Sequence, residues 1–202
     1  MEVRCGARWG ARTNQGYAFT ASVIMLCGLV GCGEYLGDYK VSDVRLVREM
    51  PLGDEPSGPN PPYPRYLRVE LASTASLYTA HTGPGLYTKA DFCPFDNGDA
   101  LIAFGPQATD GHAVEDWKRQ TPLQRDKQDG LYHYFVYIVP SSPARKLFAN
   151  SESTIPEYNI LSQRKPICVR FFVPGYNITA SRSNTIEISA EQLSQALIKQ
   201  GG

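Results

Sequence analysis

The chain reads as an all-β protein: an antiparallel β-sandwich, immunoglobulin-like or transthyretin-like, with a short C-terminal helix. Three observations predict it. About seven segments rich in β-branched and aromatic residues follow one another, turns containing glycine and proline separate them, and one helix signature stands at the C-terminus. No repeat of fixed period and no heptads are visible, and the order of strands is not derivable from these patterns.

The elements follow in order. KVSDVRLVRE, from Lys40, carries Val41, Val44 and Val47 and predicts a first strand with imperfect alternation. PLGDEPSGPNPPYPR, Pro51 to Arg65, holds six prolines, each without a backbone donor, and predicts an extended loop. RYLRVELAS alternates cleanly, with Leu67, Val69 and Leu71 on one face and Tyr66, Arg68 and Glu70 on the other, as a half-buried strand does. TGPG is a turn, and Asn97-Gly98 between an aromatic-rich segment and ALIAF predicts a hairpin. The polar stretch from Gln107 to Asp129 reads as a surface excursion, in which HAVEDWKRQ forms one or two helical turns before Pro122. Leu131 to Val139 is uninterrupted β-former sequence, expected of a central strand covered on both faces. PICVRFFVP sets Ile167, Val169, Phe171 and Val173 against Cys168, Arg170 and Phe172, and SNTIEIS adds a short strand. Ser189 and Gln192 have the spacing of a capping box, which predicts a helix to about Lys199 burying Leu193, Ala196 and Leu197.

The N-terminal region has a different character. Arg4, Arg8 and Arg12 stand against the single acid Glu2, and an uncharged apolar run follows from Ala18 to Val30. A spanning helix needs roughly 20 apolar residues, so this shorter run reads as the h-region of a signal peptide. It ends at Leu29-Val30-Gly31-Cys32, which resembles the lipobox of bacterial lipoproteins. The resemblance implies cleavage before Cys32, acylation of its thiol and anchoring in a membrane by more than one chain, since a single chain holds only marginally. It also implies the outer membrane, because the residue after the cysteine is Gly33 and not the aspartate that retains such proteins in the inner membrane; the periplasmic side is favoured, the cell exterior being the alternative that nothing in the sequence excludes. The expected organisation is a signal peptide over 1–31, an acylated linker over 32–39 and the sandwich domain over 40–202. The alternative is an uncleaved anchor helix, or an internal start, with Cys32 as an ordinary thiol.

Removing 31 residues from 202 leaves 171, enough for one domain to bury a core. With three arginines and one glutamate gone from 20 cations and 20 anions, the remainder carries −2, which gives no footprint for nucleic acid. Cys93 and Cys168 are then the only cysteines beyond the anchor, and an exported location favours a disulfide between them; the alternatives are two unpaired thiols or a metal site, for which two cysteines without a CxxC or a partnered histidine are poor ligands.

Residues for chemistry are sparse. His81, His112 and His133 lie in separate segments without metal-ligand spacing, so neither a metal nor another cofactor is expected. No GxSxG nucleophile elbow, P-loop or dinucleotide fingerprint occurs. Asp96-Asn97-Gly98-Asp99 lacks the spacing of a calcium loop, and the Asn177-Ile178-Thr179 sequon has no expected use in a bacterial cell. Two readings follow. The first is a non-enzymatic, lipid-anchored envelope module, such as a secretion-system accessory or periplasmic immunity protein, that binds an envelope protein through the proline-rich loop with Tyr63 and Tyr66 as contacts. The second is an envelope hydrolase using His112, Glu115 and Asp116.

Overall fold

Side-chain alternation organises the chain into two antiparallel sheets. The computed structural model describes residues 34–50, 63–77, 85–95, 100–109, 111, 127–146, 154–174 and 181–198. In chain order the first strands are β1 (Lys40–Val47), β2 (Tyr66–Ser73), β3 (Tyr87–Phe92), β4 (Ala100–Leu101), β5 (Ala103–Gln107), β6 (Lys127–Gln128) and β7 (Leu131–Ile138). There follow β8 (Ser141–Ser142), β9 (Arg145–Lys146), β10 (Thr154–Ile155), β11 (Tyr158–Asn159), helix α1 (Ile160–Gln163), β12 (Ile167–Val173), β13 (Ser181–Arg182), β14 (Ile186–Ile188) and helix α2 (Ala190–Ile198). Sheet one has the order β1-β2-β7-β5, with β6 also on β7. Sheet two has the order β13-β12-β3-β4, with β14 also on β12. Two short ribbons, β8 with β11 and β9 with β10, complete the pairing among the described residues.

The sheets pack as an all-β sandwich with a short C-terminal helix. Val69, Leu71, Tyr134, Val136 and Ile138 of sheet one share one core with Ala90, Ile167, Val169, Phe171 and Ile188 of sheet two. The alternation expected for β2 and β12 is the one observed. In β1 the imperfect pattern has a cause: the register with β2 shifts between Val41 and Asp43, and the extra residue Ser42 sends its hydroxyl to the Glu70 carbonyl.

ALIAF is divided between the sheets. Ala100 and Leu101 pair with β3 in sheet two, whereas Ala103 and Phe104 pair with β7 in sheet one. Ile102 makes the corner, its N–H donating to the Tyr158 hydroxyl at 3.0 Å and its carbonyl accepting the Val139 N–H at 2.9 Å. The β3–β4 pairing is the expected hairpin, while Asn97-Gly98 itself lies outside the described residues, as does most of the 107–129 excursion. The end of that excursion is a hairpin strand: β6 pairs with β7 across Asp129-Gly130, both at positive φ (51° and 81°), the mirror-image turn that suits strand twist.

The segment expected as a linker is part of the fold from Glu34 onward. Arg182 donates its N–H to the Glu34 carbonyl, Leu36 donates to the Arg182 carbonyl, and Tyr35 forms a parallel bridge with Arg182. Leu36 and Tyr39 are each 1% exposed. Tyr39 stands edge-on to Phe171 of sheet two (5.1 Å) and Tyr134 of sheet one (6.0 Å), while the Asn184 side chain bonds both its N–H and its carbonyl. Gly37, at φ 106°, permits the approach, since a Cβ there would stand 2.5 Å from Ala75 Cβ. The polar look of GEYLGDY concealed two core residues.

At the C-terminus the capping box forms as expected. Ser189 N–H donates to Gln192 Oε1 at 2.9 Å, and Gln192 N–H donates to Ser189 Oγ at 3.3 Å. Helix α2 buries Leu193 and Ala196, with Leu197 half-buried.

Candidate interaction surfaces

Four of the sequence-derived site residues, Cys32, His112, Glu115 and Asp116, lie outside the described residues, as do 51–62 of the proline-rich loop. The other four are placed. Cys93 and Cys168 stand at disulfide distance, with Cα atoms 5.2 Å apart. Cys168 faces Asp91 in the β12–β3 register, and Cys93 donates its N–H to the Pro166 carbonyl, so the pair staples neighbouring strands diagonally within sheet two. It does not join the two sheets, as the hallmark disulfide of antibody domains does.

Tyr63 and Tyr66 come together, but not as two exposed contacts. Tyr66 is 2% exposed, which corrects its expected role, and Tyr63 is half-buried. The Tyr66 hydroxyl accepts the Tyr63 N–H at 3.0 Å, and the two rings meet edge-to-face at 6.1 Å. Phe104 closes a triangle with them at 6.3 Å from each, and Tyr137 lies 6.3 Å beyond Tyr66. This aromatic cluster covers the outer face of sheet one where β2 begins and β7 ends, because Tyr66 and Tyr137 stand opposite in alternation to Leu67 and Ile138. Arg68 lies over the Phe135 ring at 5.1 Å, and His133 Nδ1 is 2.9 Å from Glu70 Oε1 on the same face. The strand-level alternation was readable from the sequence. The meeting of Tyr63 and Phe104, 41 positions apart, was not.

The outer face of sheet two combines cations with rings. Phe95 is approached by the Arg170 guanidinium at 4.5 Å and by Lys89 Nζ at 5.2 Å, and Lys89 lies 3.3 Å from the fully buried Asp91 carboxylate. Further along, Tyr87 and Phe172 pack at 5.6 Å. At this end, where β2 finishes and β7 starts, Glu34, Tyr35, Leu36, Gly37, Thr74, Ala75, Ser76 and Tyr132 line an open cleft of about 390 Å³. Tyr35 donates its hydroxyl to Asp38. Its pKa is pushed up to about 12, by desolvation first and then by the hydrogen bond and negative charge of Asp38. Among the described residues no group of three or more His, Cys, Asp or Glu side chains is placed to hold a metal, and no helix is long and apolar enough to cross a membrane. No family model matches the chain, and it has no significant match to a curated protein or a solved structure.

Proposed function

We propose that the protein is a lipid-anchored module of the bacterial envelope that works by binding an envelope protein, as a secretion-system accessory or an immunity protein would, without turnover. Its anchor is an acylated Cys32, read from the charged start, short apolar run and lipobox. Its binding region is the proline-rich loop with the surface around Tyr63. The observation that carries this reading is the aromatic cluster of Tyr63, Tyr66, Phe104 and Tyr137, which seats the end of the loop on sheet one. A loop end fixed in this way, with prolines along its length, surrenders less entropy when a partner binds than a dangling insertion does.

The test has two arms. Metabolic labelling with an acyl-chain probe should mark the wild type and not Cys32→Ser; equal labelling would remove the anchor. Shortening Leu52 to Pro62 to a Gly-Ser turn should leave thermal unfolding unchanged and abolish capture of one defined envelope protein. An unchanged partner set would remove the loop as the site.

A further inference from the structure

The end of the sandwich that holds Glu34 carries a second surface. Tyr87, Phe172, Arg182 and Tyr35 form one row across sheet two, since Tyr87 pairs with Phe172, Phe172 with Arg182, and Arg182 with Tyr35. Residues paired across strands share a face. Tyr35 and Tyr87 are 57% and 49% exposed, and Arg182 is exposed between them. The adjoining β6–β7 hairpin brings Lys127 over the Tyr132 ring at 5.5 Å, and Tyr132 lines the same cleft as Tyr35.

Cys32 precedes Glu34 by two residues. Two extended residues span at most about 7 Å. Glu34 is fixed to the domain, its N–H donating to Ser181 Oγ at 3.0 Å and its carbonyl accepting from Arg182 at 3.2 Å. Acyl chains on Cys32, buried in hydrocarbon, therefore hold this end of the sandwich within reach of the lipid headgroups. Its residues suit that position: tyrosine rings settle at the membrane–water boundary, and arginine and lysine bury their stems while their charges stay wet.

We infer that the end of the sandwich presenting Tyr35, Tyr87, Phe172 and Arg182 is seated on the phospholipid headgroups of the membrane that holds the anchor. This rests on the anchor reading above. The segments that form this surface carry Glu34, Asp38 and Asp129 as well as Arg182 and Lys127, so it has no cationic excess and its seating does not depend on anionic lipid. The opposite end of sheet one, where Tyr66 begins β2, then holds Tyr63 away from the bilayer.

The experiment uses the mature, acylated protein in vesicles of phosphatidylethanolamine and phosphatidylglycerol. A nitroxide is placed at Gln128→Cys, exposed beside the row, or at Gln163→Cys, exposed in α1 at the other end. Collisions with a water-soluble nickel chelate should be several-fold fewer at 128 than at 163. The difference should persist at high salt and shrink when Tyr35→Ser and Tyr87→Ser are combined. Equal collision rates in a chain whose mass confirms acylation would overturn the seating alone. A mature chain without acyl groups would overturn the anchor reading and the seating with it. Shielding of 128 in native envelopes but not in pure lipid would also overturn the seating, in favour of a protein occupant.

Discussion

Tyrosine hydroxyls join distant parts of this chain at single hydrogen bonds. Tyr134 accepts the Leu77 N–H at 2.9 Å, and Tyr158 accepts the Ile102 N–H where the chain passes from one sheet to the other. Both amides are shut off from water, so deleting either hydroxyl strands a donor. Tyr158→Phe is expected to lower stability by about 1–3 kcal/mol with an unchanged denaturant m-value, checked by urea unfolding. The buried hydroxyls also set the alkaline limit. Burial raises the pKa of Tyr39 and of Tyr137 above the ordinary tyrosine value. The unfolded chain then releases protons that the folded chain still holds, so stability is complete below about pH 10 and falls as pH rises further. Tyr39→Phe should flatten that fall while lowering the neutral-pH baseline, because the hydroxyl also bonds the Leu36 carbonyl. An equally steep fall in the variant would count against Tyr39 as its source.

Between elements, the Cys93–Cys168 staple and the α2 cap can be tested separately. The two cysteines are 75 positions apart and join β3 to β12. Chain-entropy reasoning gives closure of such a loop about 4 kcal/mol, and the double Cys→Ala variant should lose stability on that scale by urea unfolding. Ser189→Ala removes one half of the reciprocal cap and should cost about 0.5–2 kcal/mol; a cycle with Gln192→Ala should show the two changes to be non-additive. These elements were legible in the sequence because their signals are local: a three-residue cap spacing, alternation in β2 and β12, and unbroken β-formers in β7. Elements decided by distant contacts were not legible. ALIAF looks like one strand because nothing within it reveals that Ile102 turns a corner on Tyr158. Asp129-Gly130 was a readable hairpin signal hidden at the end of a polar stretch. Tyr66 reads as an exposed contact because it adjoins the proline-rich loop, but on the outer face of sheet one the rings of Tyr63, Phe104 and Tyr137 pack against it and it is buried.

On the scale of the whole molecule, the decisive feature is that only two positions separate Cys32 from Glu34, which the domain holds. Under the proposed anchoring, a flexible tether would let the sandwich explore many heights and tilts, whereas a chain already held to the domain at Glu34 would give it the orientation of its anchor. This makes spacing a testable part of the proposed function. Ten Gly-Ser residues inserted between Gly33 and Glu34 would add an r.m.s. reach of about 17 Å while leaving every contact of Tyr35, Leu36 and Tyr39 in place. Thermal unfolding should therefore be unchanged, and so should acyl labelling of Cys32. Binding should not be: if the loop end at Tyr63 meets its partner at a fixed height above the membrane, capture should weaken with ten inserted residues and more with twenty. Undiminished capture with both spacers would show that the partner follows the domain freely, and would leave the short connection a role in seating alone.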